Sequence, residues 1–461
     1  MPKKAYIVTG LGYGDEGKGS IVDWLTTCYN VHTVIRTGGP QALHRVVTSD
    51  DKEHVFSQFG SGTLRGAATH LSRHMVVAPA ALLREGKLLA TTCGRDVFPL
   101  ITIHNDALLV TPIQAVAGRV RELLRGTDRR GSVGVGVGET VRDSEDLGEV
   151  TLCARDLTSP QLGEKLLNLW QYKCSQYESY ADRASGLPES IGIAVREQVA
   201  LMVDRALLQK TITEFTELAN RIRVVSDDYV AEKILTPPGT IVCEGSQGVL
   251  LDQVHGFYPY TTKVRATPET ARDILTLGGY AGRVHSLGIL RSYATRHGYG
   301  PFVTEDAALT ALLPDARNQN DAWQGNFRIG HFDAVASRYA ATICGAGAID
   351  ELVLTCLDRT ITLDTWSVCT EYQYGAVTLP DNNGSLMNTT DNLLSLKRHR
   401  PEQLSDILRE CRPVLRQVKK QRASEQYRTQ CQIQTIVEQL GIPVYAVSTG
   451  VTEKNKFLNV S

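Results

Sequence analysis

The sequence predicts an α/β protein with a largely parallel central sheet flanked by helices, and three observations carry that prediction. Six short apolar runs recur along the chain: AYIVTG, HTVIRT, HMVVAP, TIVCEG, ELVLTCLD and PVYAVSTG. They show little inner alternation, as strands buried on both faces do. Each ends in a Gly, Pro, Asp or Ser cluster and most precede a helical pattern, so ligands are expected beyond the strands' carboxyl ends.

The first run opens into VTGLGYGDEGKGSIVDWL, Val8 to Leu25. Gly12, four residues, then Gly17-Lys18 begins the phosphate-loop pattern G-x-x-x-x-G-K-[ST], but Gly19 stands where Ser or Thr belongs and Ser20 comes one place late. Glycines at 10, 12, 14, 17 and 19 let the backbone turn sharply and aim N–H groups at an anion. A helix expected from near Gly19 adds its positive end, and Lys18 adds a point charge. The sheet is therefore expected to be P-loop-NTPase-like. Asp15 and Glu16 lie inside this loop, where a carboxylate repels a polyphosphate unless a metal neutralises it or it handles a proton. Asp15 suits both tasks, as a Mg²⁺ ligand and as a base toward a second substrate. That points to phosphoryl transfer or ligation.

The second run leads into RTGGPQALH, Arg36 to His44, with two glycines at its tip and an acid/base candidate in His44. From about 163 to 233 the pattern is helical and reads as an insertion in a single domain spanning 1–461. The basic run RPVLRQVKKQR near Arg412 reads as a solvated helix face rather than a nucleic-acid patch. Lys plus Arg number 49 against 50 Asp plus Glu, which implies no polyanion or membrane partner. No apolar run approaches the ~20 residues of a membrane span, and MPKKAYIVTG lacks the apolar core of a signal peptide. The 10 cysteines form no C-x-x-C pair, which argues against a zinc site or disulfide scaffold and for a reduced cytoplasm.

Several blocks together resemble adenylosuccinate synthetase: GDEGKGSIVDWL, the GG…H block, EGSQGVLLDQVHGFYPYTT (Glu244 to Thr262), LGILRSYATRHGYGPFVTE (Leu287 to Glu305), LTCLD (Leu354 to Asp358) and VSTG (Val447 to Gly450). They follow that family's order over nearly the whole chain. The resemblance implies a homodimeric cytoplasmic ligase that joins IMP and L-aspartate at the expense of GTP, with Mg²⁺. It makes Asp15, His44 and Lys18 catalytic. Asp15 takes the purine N1 proton so that the 6-oxygen attacks the γ-phosphorus, His44 steadies that oxygen, and an amine then displaces the 6-phosphoryl group. Phosphorylation turns a poor leaving group into a good one, while Mg²⁺ and Lys18 spread the charge. GTP falls to Gly14, Glu16, Gly17, Lys18 and Gly19, with Asp358 reading guanine and Ser448 and Gly450 backing it. The purine substrate falls to Asp15, Gln41, Ser132, Gln247 and Thr262. Mg²⁺ falls to Asp15 and to the carbonyl of Leu43, where the family has Gly.

The departures from the family pattern are concentrated. Its Arg-rich amino-acid loop reads NDAWQGNFRIGHFD here, leaving Arg328 as the amine-donor contact. A phosphate-binding Asn has become Gln41, GSVGVGVG keeps Ser132 but has Val133 for Thr, and the arginine donated across the dimer falls at about Cys153, with Arg155 two residues on. The lysine beside the guanine-reading Asp358 is Cys356. Arg73, Arg142 and Arg265 are candidates to compensate. Phage relatives acting on dGMP replace the catalytic aspartate, so an intact Asp15 keeps a hypoxanthine-like ring. Three readings stand: the default ligase, a paralogue with another amine or a modified or unphosphorylated purine, and a non-catalytic GTP-binding regulator.

Overall fold

The computed structural model describes residues 3–148, 151–315, 318, 323–374, 393, 397–398, 400, 402–419 and 424–459, without the side chains of 178, 181 and 419. Its centre is a ten-stranded sheet. In chain order the strands are β1 (Lys4–Gly10), β2 (Val31–Gly38), β3 (Ala68–Met75), β4 (Ile101–His104), β5 (Arg223–Val225), β6 (Thr240–Gly248), β7 (Arg283–Arg291), β8 (Glu351–Thr355), β9 (Val444–Ser448) and β10 (Lys456–Leu458). Across the sheet they run β10-β9-β8-β7-β1-β6-β2-β3-β4-β5. Every neighbouring pair is parallel except the edge pair β9 and β10. β1 lies between β6 and β7 and is buried from Ala5 to Gly10, which explains its apolar run without alternation. The expectation of a largely parallel, helix-flanked sheet agrees with the structure.

Details differ. HMVVAP is the end of a strand rather than the strand: β3 starts at Ala68 and stops at Met75. Its middle is polar, yet Thr69, His70 and Ser72 are buried and each hydrogen-bonds within the sheet or its loops, so an apolar-run criterion passes over it. The helical pattern is carried by helices Leu162–Ser175, Tyr177–Ala184, Glu189–Val203 and Arg205–Ala219, after which β5 rejoins the sheet edge.

The described part of the basic run, 412–419, is not a helix face, and 420–422 lie outside the described residues. Cys411–Lys419 is a strand, paired antiparallel with Thr365–Tyr374 at the edge of a separate three-stranded sheet. Pro413 fits there because an edge strand leaves one side of its backbone free of ladder bonds. Its mostly exposed side chains imitated the pattern of a solvated helix.

Candidate active site

Because the strands are parallel, the segments after β1, β2, β6, β7, β8 and β9 share one edge of the sheet. After β1 the chain turns through Gly14, Asp15 and Gly17, all with positive φ (99°, 63° and 91°), and enters helix α1 (Lys18–Tyr29). Asp15 is held in the left-handed region: Arg291 at the end of β7 donates to its carbonyl, and the Thr355 hydroxyl donates to the next carbonyl, that of Glu16, at 2.6 Å. The Asp15 carboxylate is thereby left at the surface of the loop, with His297 Nε2 3.6 Å away.

Glu16 points the other way, into the loop. One carboxylate oxygen accepts from the Gly14 N–H and the other from Lys18 Nζ, both at 2.7 Å. Burial alone would raise its pKa, yet the Lys18 charge and these hydrogen bonds hold it below the usual carboxylate range. The carboxylate fits only because the walls are glycine. A Cβ on Gly10 would stand 2.2 Å from it and one on Gly12 2.9 Å. Gly248, at the end of β6, closes the floor: a Cβ there would lie 2.2 Å from the Gly12 carbonyl and 2.4 Å from the Gly14 nitrogen. Gly248→Ala is therefore expected to weaken nucleotide binding about tenfold or more while the chain still melts cooperatively. Titration with a fluorescent GTP analogue checks this, and an unchanged affinity would contradict it.

His44 is buried beside the start of α1: a Cβ on Gly19 would meet its Cβ at 2.7 Å. Its Nδ1 lies 2.6 Å from Glu244 Oε1 and its Nε2 3.0 Å from the Ser246 carbonyl. Both partners are acceptors, so both hydrogen bonds exist only while the ring is protonated. Burial, with Arg36 and Lys18 nearby, holds its pKa below the usual histidine range against the pull of Glu244. Glu244 also accepts from the Ser61 hydroxyl (2.5 Å) and N–H (3.0 Å), and Arg36 lies 3.4 Å away with no exposure. Burial would raise Glu244, but Arg36 and the hydrogen bonds of His44 and Ser61 outweigh it and pull its pKa to about 2. Among the described residues no hydrogen bond joins His44 to Asp15.

Three of the sequence-derived purine contacts gather near Gly38 and Gly39. Gln41 donates to the Thr262 hydroxyl (3.2 Å), Gln247 donates to the Gly39 carbonyl (3.3 Å), and both amide oxygens are buried without a partner. Ser132 is exposed, its hydroxyl accepting from the Gly134 N–H at 3.3 Å. Leu43 is 64 % exposed. Asp358 lies in a single helical turn after β8, and burial raises its pKa. Ser448 ends β9, its hydroxyl donating to the Gly450 carbonyl at 3.1 Å.

Arg328 is occupied: it pairs with Glu305 at 2.8 Å and donates to the Gly300 carbonyl at 3.0 Å. The candidate compensating cations are occupied as well. Arg73 pairs with Asp227, Arg142 with Glu139, Arg265 with Glu269 and Asp252, and Arg155 with Asp106. Sequence reasoning passed over Glu244 as the anchor of His44, Arg291 as the clamp on Asp15, and His297. It also passed over Lys456, a buried lysine near Asp358 whose pKa burial lowers to about 8.

The sequence profile of the family described as adenylosuccinate synthetase matches residues 7–457. The chain belongs to the adenylosuccinate synthetase family. It is 30% identical to the adenylosuccinate synthetase of Anaplasma marginale (strain St. Maries) over 378 residues, covering 80% of this chain and 81% of the relative. With that of Wolbachia sp. subsp. Brugia malayi (strain TRS) it shares 26% over 458 residues, covering 96% and 94%. The fully ligated adenylosuccinate synthetase of Plasmodium falciparum superposes with a TM-score of 0.75 over 98% of this chain and 99% of that one, at 19% identity, which bears on the fold alone. Adenylosuccinate synthetases are ligases of purine metabolism that form a C–N bond and use GTP and Mg²⁺.

The described residues suit that cation. They contain no group of three or more His, Cys, Asp or Glu side chains placed to hold a metal. Mg²⁺ needs none, since it takes one or two carboxylates and completes its shell with phosphate oxygens and water. Asp15 offers such a carboxylate at the loop surface, whereas Glu16 is committed to Lys18. No described helix is long and apolar enough to cross a membrane.

Proposed function

We propose that this chain is a GTP- and Mg²⁺-dependent ligase that phosphorylates the 6-oxygen of a purine and then couples an amine to that carbon, with IMP and L-aspartate as the default pair. The observation that carries the reading is the division of labour between the two loop acids. Glu16 is turned inward onto Lys18, while Asp15 is pinned in a left-handed conformation with its carboxylate free for a substrate. In this reading Asp15 accepts the purine N1 proton, Lys18 and the loop N–H groups bind the GTP phosphates, and Mg²⁺ offsets charge on the transferred group when bound at Asp15. His44, held through Nδ1 by Glu244, steadies the 6-oxygen by donating from Nε2 when the ring is protonated. Asp358, Ser448 and Gly450 receive the guanine, and Gln41, Gln247, Thr262 and Ser132 receive the purine nucleotide. The Leu43 carbonyl belongs to the Mg²⁺ shell, Arg328 to the amine donor, and the working unit is a homodimer of single-domain chains.

A second reading keeps the 6-oxo activation but changes the partners: another amine, or a purine without a 5′-phosphate. It is supported by the pairing of Arg328, Arg73, Arg142, Arg155 and Arg265 with carboxylates, since a bound dianion needs cations not already neutralised. One experiment tests both. Phosphate release is measured with GTP and Mg²⁺, with and without IMP and with and without aspartate, and products are identified by mass. Release that needs both, with adenylosuccinate formed, is expected for the default pair. Purine-dependent release indifferent to aspartate selects the second reading, and release indifferent to any purine overturns the ligase.

A further inference from the structure

His297 is the last residue of strand Ala294–His297, and none of the roles above uses it. Its ring packs on Phe327, 4.7 Å between centroids, so its direction is fixed. Nε2 lies 3.6 Å from Asp15 Oδ2 and 3.5 Å from Asn318 Oδ1. The Asn318 amide is oriented by its own nitrogen, which donates to Asp315 at 3.1 Å, so its oxygen is the atom turned toward His297. Both neighbours of Nε2 are thus acceptors, which in the neutral ring places the hydrogen there. Nδ1 is then a bare lone pair, and it is buried without a hydrogen-bond partner. An orphaned buried acceptor beside the loop acid calls for a donor from a ligand.

The three reactants of the proposed chemistry differ in what they offer there. The γ-phosphate and the purine 6-oxygen present acceptors, and the purine N1–H faces Asp15. Only the incoming amine presents N–H at its reacting atom. We propose that His297 is a further substrate-contacting residue: Nδ1 accepts a hydrogen bond from the amine donor, while Nε2–H faces Asp15 and closes on it when ligands are bound. Contacts of this length commonly shorten in the ligated enzyme. The assignment rests on the ligase reading above, and it makes His297 specific to the second half-reaction, because the amine takes no part in the first.

The test separates the half-reactions in the full-length protein. H297F keeps a ring against Phe327 but removes both nitrogens, and H297N keeps an acceptor near the Nδ1 position. IMP-dependent scrambling of ¹⁸O between bridge and non-bridge positions of GTP reports the first half-reaction, and product formation with L-aspartate or ammonium as probe reports the second. H297F is expected to scramble within about twofold of wild type while its KM for the amine rises about tenfold or more, and H297N is expected to recover most of that loss. Equal falls in scrambling and coupling, or an unchanged KM for the amine, would overturn the assignment alone. Absence of purine-dependent scrambling in the wild type, with IMP and with inosine alike, would overturn the ligase reading and this assignment with it.

Discussion

Asp15→Asn is expected to lower kcat by about 10²–10⁴-fold, the range that a positioned acid or base contributes, with little change in melting temperature. The reasons lie in the loop. Asparagine tolerates the left-handed conformation that Asp15 adopts at φ 63°, so the turn survives the exchange. The Arg291 clamp reaches the backbone carbonyl of residue 15 rather than its side chain, and Thr355 holds the carbonyl of Glu16 in the same way. What is lost is one negative charge with its ability to take a proton and bind a cation. Steady-state phosphate release and product formation measure the fall, and GTP-analogue titration without Mg²⁺ shows whether the loop is intact. A variant that turns over like wild type removes Asp15 from the chemistry altogether.

Glu244→Gln is expected to cost about 3–5 kcal/mol of stability at pH 7, the usual result of breaking one side of a buried ion pair. Glu244 is fully buried, receives Ser61 and His44, and lies 3.4 Å from the equally buried Arg36. Glutamine keeps the shape but leaves that guanidinium without its counter-ion. The pKa points to a similar size: depression from the ordinary 4.5 to about 2 corresponds to roughly 3 kcal/mol. The sign follows from the direction. Since the folded value is the lower one, this stability is complete above pH 4.5 and drains away as pH falls toward 2. The gap between wild type and variant in urea midpoint is therefore expected to be widest near neutrality and to narrow below pH 4.5. Equal midpoints at pH 7 would show that Arg36 finds another partner. Activity should also suffer, because Glu244 fixes the His44 ring.

The residues legible from sequence were those whose function is written in local spacing. The glycines of the first loop, Asp15, Lys18 and the strand before them sit within 15 positions of one another, and backbone sterics dictate what such a run can do. The Glu244–Arg36–Ser61–His44 cluster was not legible. Its members come from separate segments, and only the pairing of β2 with β6 brings Arg36 opposite Glu244. The inward turn of Glu16 also depends on a distant residue, because Gly248 shapes the floor beneath it. Cys411–Lys419 was misread because an exposed edge strand and an exposed helix face share a polar composition, and the partner that decides between them lies at Thr365–Tyr374. The pairing of Arg328 with Glu305 joins residues 23 positions apart, which no residue count announces.

The position of β1 has a consequence for how the protein is made. Its neighbours on both sides, β6 and β7, begin at Thr240 and Arg283, so the first strand of the chain is the last kind to find partners. At about 5–20 residues per second of synthesis, the apolar AYIVTG segment waits roughly 10–50 s before β6 is even translated. Until then the nucleotide loop has no floor, since Gly248 has not been made, and His44 has no anchor. Capture by a chaperone or aggregation at that stage, rather than instability of the finished sheet, is where expression of this chain is most exposed. Nascent chains truncated before Thr240 should accordingly fail to bind nucleotide even though they carry the complete loop motif.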